Sequence, residues 1–237
     1  MLDRDDFTSA LFFPRRDTTP PPPGARDVMV DGVHVRIHAP AGAHTLLLFH
    51  GNGEVVANYD AAAAQFARAG VTLAVADYRG YGASEGEPTL RAIVGDARPL
   101  AEAVNPTIVM GRSLGAAAAH ELYALPLPGM RAVILESAFS DLRGLIQRRG
   151  ITPPATFTAD ELETFDPLTK LVQGRLPLLI LHGADDTLIV PDEARAALAA
   201  AGSADKQLVM IPGHGHNDVA ASPVYWDALA AFVQSTR

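Results

Sequence analysis

Three stretches of this 237-residue sequence carry side chains whose types and order suit acyl transfer. Gly111-Arg112-Ser113-Leu114-Gly115 matches G-x-S-x-G, the pattern of a serine held on a sharp strand-to-helix turn. A serine hydroxyl is a weak nucleophile until a base removes its proton. Gly215-His216-Asn217-Asp218 supplies an imidazole for that task, with His214 two residues away as its rival. An imidazole in that role needs a carboxylate to fix its tautomer and stabilise its charged form. His182-Gly183-Ala184-Asp185-Asp186 offers two adjacent aspartates, only one of which can face the histidine; Asp186 is preferred, Asp185 is the alternative, and Glu136 is a third candidate. The tetrahedral intermediate of acyl transfer needs two donors for its oxyanion. The backbone amides of Leu114 and Asn52 are the candidates, the latter in His50-Gly51-Asn52-Gly53-Glu54, where Gly53 is the alternative and His50 and Glu54 organise the loop.

The serine pattern alone decides little, because Gly82-Ala83-Ser84-Glu85-Gly86 matches it too. Context separates the two. Ser113 follows an apolar strand run, Thr107 to Met110, and precedes an alanine-rich helix from Leu114 to Ala124; Ser84 lies beyond its strand and is followed by Glu87-Pro88, so it reads as loop. The remaining elements must bring the three stretches to one edge. Asp31-Gly32 between alternating valine runs is a hairpin signal. Continuous apolar runs at 46–49, 71–76, 107–110, 132–135, 178–181 and 208–211 read as strands covered on both faces. Helices are expected around Tyr59–Phe66, at 191–201 and at 224–233. Strands alternating with helices give an α/β fold with a mostly parallel sheet, an antiparallel hairpin leading in and helices on both faces. Ligands of such sheets bind at the carboxyl ends of the strands. The expected organisation is an irregular segment over 1–25, containing the run Pro20 to Pro23, then one domain over 26–237. A break in the rhythm at about 137–175 suits a short lid, whose Phe139, Leu142, Leu145 and Phe157 are candidates for an acyl pocket.

Composition narrows the partners. The formal net charge of −8 and the absence of a basic cluster disfavour nucleic acid, and the pairs Arg15-Arg16 and Arg148-Arg149 read as solvated surface charge. The lack of cysteine excludes thiolate catalysis and disulfides. His34, His38, His44 and His120 read as surface or strand-face residues, and the eight histidines show no metal-ligand spacing. No metal, no nucleotide cofactor and no other cofactor is expected. The start of the sequence lacks the basic and apolar pattern of a secretory signal, so the expectation is a cytoplasmic protein acting on a small-molecule substrate, with no membrane anchor.

The order serine, acid, histidine is that of the α/β-hydrolase fold, and the chain resembles that superfamily from about residue 26 to 235. It is most similar to a group of small serine hydrolases related to the Bem46 proteins and to the mammalian α/β-hydrolase-domain proteins 13 and 17. The resemblance rests on His50-Gly51-Asn52, Asp77-Tyr78-Arg79-Gly80-Tyr81-Gly82, Ser84-Glu85-Gly86-Glu87-Pro88, Gly111 to Gly115, Glu136-Ser137-Ala138-Phe139 and Gly215 to Asp218. It implies that Ser84 and its motif are structural, and that His216 rather than His214 and Asp186 rather than Asp185 act with Ser113. It further implies esterase-like or thioesterase-like activity. Many members of the group carry an N-terminal membrane anchor or palmitoylated cysteines, features this sequence is expected to lack.

Overall fold

The computed structural model describes residues 5–148, 150–152 and 156–236. Helix α1 (Asp5–Leu11) comes first, in a segment expected to be irregular. Its Phe7 and Leu11, with Phe12 just after, are buried against the domain; apolar contact with the sheet, rather than local pattern, supports so short a helix. The hairpin follows as β1 (Arg26–Val30) and β2 (Val33–Ile37). Asp31 and Gly32 both have positive φ, 47° and 81°, as a two-residue type I′ turn requires.

The chain then winds through β3 (His44–Phe49), α2 (Ala63–Arg68), β4 (Val71–Ala76), α3 (Leu90–Val104), β5 (Ile108–Arg112), α4 (Ala116–Ala124) and β6 (Ala132–Glu136). Three helices, α5 (Leu142–Arg148), α6 (Ala159–Phe165) and α7 (Pro167–Gln173), separate β6 from β7 (Leu178–Gly183). The chain ends with α8 (Pro191–Ala200), β8 (Lys206–Ile211) and α9 (Pro223–Ser235). The strands form one sheet in the order β1-β2-β4-β3-β5-β6-β7-β8. β1–β2 and β2–β4 are antiparallel and every later pair is parallel. From β3 the chain moves outward to β4 and then returns to β5 on the other side of β3. The crevice outside β3 and β5 is therefore the topological switch point of the sheet.

Alternate residues of the central strands feed two cores. Leu46, Leu48, Met110, Ile134 and Leu181 face α2 and α9. Leu47, Phe49, Val109, Leu135 and Ile180 face the core shared with α1, α3, α4 and α7. This two-sided burial is why these strands read as continuous apolar runs. Helix α3 was not anticipated between the strands at 71–76 and 107–110. Thr89 caps it by accepting from the Ala92 amide, and Asn105 ends it at φ 51°.

The loop after β4 is built around a buried carboxylate. Asp77 is wholly inaccessible. Its Oδ2 lies 2.8 Å from His34 Nδ1, and its Oδ1 lies 3.3 Å from His50 Nε2 and accepts from the Val56 amide at 3.0 Å. Gly82 is needed beside it, since a Cβ there would stand 1.9 Å from Asp77 Oδ2. His34 is a strand-face residue of β2, while His38 just after that strand and His120 inside α4 are buried polar residues rather than surface ones. Burial pushes His120 down to about 3, with Lys170 adding to the effect, so it stays neutral. Burial also pushes the Asp77 carboxyl up, but the bonds from His34 and His50 outweigh it and bring it down to about 2 from the ordinary 3.8. A depressed carboxylate stabilises the fold above its unfolded value, and the contribution is lost as pH falls through the folded one. Asp77→Asn is therefore expected to cost about 2 kcal/mol near neutral pH. That deficit should shrink as pH falls from about 4 to about 2. Urea unfolding midpoints across that range check this, and a deficit that does not change with pH would show that charge is not what Asp77 contributes.

Candidate active site

Ser113 stands between β5 and α4 at φ 50°, a left-handed backbone that costs on the order of 1 kcal/mol or more for a non-glycine residue and is seen where function requires it. The flanking glycines are steric necessities. A Cβ on Gly111 would lie 2.6 Å from both the Ala119 Cβ and the Gly115 carbonyl, and one on Gly115 would lie 2.0 Å from the Phe49 carbonyl. Ala116 and Ala119 keep α4 close to the sheet. Its N-terminal end, where free amides and the helix dipole favour negative charge, lies beside the serine.

The loop after β8 brings His216 to the same edge. His216 Nε2 is 2.9 Å from Ser113 Oγ, and Nδ1 is 2.8 Å from Asp186 Oδ2. Asp186 comes from the loop after β7, where its Oδ1 accepts from the amides of Leu188 and Ile189, each at 2.9 Å. Burial raises the Asp186 carboxyl, but the bonds with His216 and these amides prevail and hold it below its ordinary value. The histidine and aspartate loops are laced together: the Asp185 amide donates to the His214 carbonyl at 3.0 Å, and Gly183 lies so close to the His214 and Gly215 carbonyls that a Cβ would sit 2.4 Å from each.

The alternatives lie elsewhere. Asp185 is exposed. His214 Nδ1 faces the Pro212 carbonyl at 2.9 Å. Glu136 is buried beneath the site, 3.0 Å from Arg112 Nε and accepting from the Tyr225 hydroxyl at 2.7 Å. Ser84 is fully buried, and its Oγ accepts from the His34 amide at 2.8 Å.

Arg112, the variable residue of the serine pattern, joins two loops to the end of β6. Its guanidinium reaches Glu54 at 2.7 Å, Glu136 at 3.0 Å and the Asn217 Oδ1 at 2.9 Å. Glu54 Oε2 in turn accepts from the Gly51 amide and the Tyr59 hydroxyl. His50 Nδ1 faces the Gly51 carbonyl at 2.8 Å, so His50 and Glu54 do organise the loop that presents Asn52. Sequence reading assigned Arg112 no part in the site; the later Glu136 and Asn217 in the quoted motifs are the signal that could have found it.

The cavity against Ser113 is small, with a free volume of about 10 Å³. Leu114, Phe139 and Leu145 line it, with Leu11, Leu188, Ile189 and Arg148. Of the four expected pocket residues, Phe139 and Leu145 are present. Leu142 and Phe157 instead line a separate cavity of about 640 Å³ among α5, α6 and α8. Arg148, expected on the surface, is 2.7 Å from Glu193; Arg149 and residues 1–4 lie outside the described residues.

The family model described as "Serine aminopeptidase, S33" (Hydrolase_4) matches residues 41–167 and 152–219. The chain belongs to this family of α/β hydrolases. Protein bem46 of Schizosaccharomyces pombe is 27% identical over 207 residues, covering 82% of this chain and 69% of the relative. Alpha/beta hydrolase domain-containing protein 17C of Mus musculus is 27% identical over 227 residues, covering 88% and 65%. These relatives support the Bem46-like group. The esterase Pf2001 of Pyrococcus furiosus superposes with a TM-score of 0.74 at 16% identity, covering 94% of this chain and 98% of that one, and shares the fold. Among the described residues of this α/β hydrolase, no helix is long and apolar enough to cross a membrane.

Proposed function

We propose that the chain is a serine hydrolase that cleaves carboxylic esters of small or medium acyl groups through an acyl-enzyme. The observation that carries this reading is the unbroken line from Asp186 through His216 to the Ser113 hydroxyl. His216 Nε2 takes the Ser113 proton as Oγ bonds to the acyl carbon, and Asp186 holds the Nδ1 proton and stabilises the imidazolium. The amides of Leu114 and Asn52 receive the oxyanion. Collapse of the tetrahedral intermediate breaks the ester C–O bond, and His216 returns the proton to the departing alcohol. Water then repeats the sequence: His216 takes its proton, hydroxide attacks the acyl carbon, and Ser113 leaves with the proton restored. The helices α5 to α7 act as a lid over this edge. The substrate is a small molecule, and no cofactor enters the reaction.

A fluorophosphonate probe tests the reading. A single adduct mapped by mass spectrometry to Ser113, kept in Ser84→Ala and lost in Ser113→Ala, is the expected result. Folded wild-type protein that takes no adduct would instead favour a ligand-binding role on this fold. A second reading, amide or peptide hydrolysis by the same groups, draws on the family description as a serine aminopeptidase. Matched ester, anilide and thioester substrates separate the two, and faster anilide than ester turnover would overturn the ester assignment.

A further inference from the structure

The segment from Leu11 to Asp17 lies before the residues that the family model matches, yet it is sewn to the loops after β3 and β4. Asn52 holds one end. Its Nδ2 donates to the Leu11 carbonyl, and its Oδ1 accepts from the Phe13 amide at 2.9 Å and the Tyr81 hydroxyl at 2.6 Å. Further on, Arg15 donates to Asn58 Oδ1 at 2.9 Å, and its carbonyl accepts from the Gly82 amide at 2.8 Å. The Leu11 side chain is 1% exposed and forms one wall of the cavity at Ser113. His216, which must reach the leaving alcohol, is not among the residues lining that cavity, whereas Leu114 is. The cavity borders Ser113 itself and is walled mainly by apolar side chains, which suits the acyl chain of an ester better than its departing alcohol. Its 10 Å³ of free volume is about the room one water needs. An acetyl methyl fits such a space, and a longer chain meets Leu11.

Resting on the serine-hydrolase reading above, we propose that Leu11 to Phe13 form part of the active site. The Leu11 side chain sets the upper size of the acyl group, and the backbone around it, through the Asn52 carboxamide, holds the oxyanion loop in place. Leu11 is a specificity-determining residue and the Asn52 side chain a positioning one. The loop amide is supplied by the hydrolase core, and alongside Tyr81 of that core the backbone of Leu11 and Phe13 from outside it anchors the Asn52 side chain.

The test compares p-nitrophenyl acetate with p-nitrophenyl hexanoate, which share a leaving group. Wild type is expected to favour acetate in kcat/KM. Leu11→Ala should raise the hexanoate-to-acetate ratio by about tenfold or more, and Leu11→Val, which disturbs α1 less, by a smaller factor in the same direction. Should Leu11→Ala fail to fold, Leu11→Val decides. Ratios within about twofold of wild type in the folded variants would overturn the size limit. Asn52→Ala keeps its backbone amide, so it should lower kcat for acetate by about tenfold or more with KM little changed. An unchanged kcat would overturn the positioning role. Wild type that turns over neither ester and takes no fluorophosphonate adduct would sink the hydrolase reading itself, with the size limit along with it. A labelled wild type whose ratio ignores Leu11 would sink only the latter.

Discussion

Ser113→Ala is expected to lower ester turnover by about a millionfold, leaving only what the oxyanion donors and binding achieve without a nucleophile. The geometry makes this a clean test. The substitution removes one oxygen, and alanine meets the same φ of 50° that serine already tolerates. The helix, the flanking glycines and the His216–Asp186 bond all remain, so the melting temperature should stay near that of wild type. Ser84→Ala is the informative control. It costs the His34 amide its partner and so shows in stability, but it should leave kcat unaffected because Ser84 belongs to the Asp77 loop. Steady-state kinetics on acetate esters, with active-site titration to exclude wild-type contamination, measure the effect. A Ser113→Ala protein keeping more than about one hundredth of wild-type kcat would sink the assignment of Ser113 as nucleophile.

Asp186→Asn should be the next most damaging change, with a loss of about ten thousandfold in kcat. The asparagine carbonyl can keep the amides of Leu188 and Ile189, so the turn survives. Its amide nitrogen then sits where Oδ2 faces His216 Nδ1, now 2.8 Å away. A donor there demands an acceptor, and neutral imidazole answers by moving its proton to Nε2. That nitrogen can then no longer take the Ser113 proton. The depressed carboxyl of Asp186 has a further consequence. It remains ionised through mildly acidic conditions, so activity lost there reports another group. Asp185→Asn, at an exposed position, should stay within about twofold of wild type. If the two variants behaved alike, the acid would have to be sought elsewhere, Glu136 first.

Much of the site was legible because each of its pieces is local. The two glycines around Ser113, the strand before it and the alanines after it lie within a dozen residues, and their steric reason needs no distant partner. The same holds for Asp31-Gly32, whose positive φ values a short sequence can specify. Helix α3 was missed although Leu90, Ile93, Val94, Ala97 and Leu100 have helical spacing. Gly95 and Pro99 interrupt its propensity, and burial against the sheet outweighs that cost. Helix α1 and the contacts of Arg112 and Arg148 were missed for a different reason: nothing near them in the chain signals their partners.

The kind of sheet and the edge that gathers the candidate site were readable from the chain alone, since apolar runs of strand length and glycines at a tight turn are short-range requirements. Asp186 is preferred over Asp185 on the sequence, but the physical reason appears only in the packed loop, where Asp186 is buried against His216 and Asp185 is exposed. Folding also brings an arginine inside the serine pattern against two loops and the end of β6, and sets Leu11 in the wall of the cavity at Ser113. Such contacts are set by how the layers of the fold stack, through burial and geometry that no local pattern encodes.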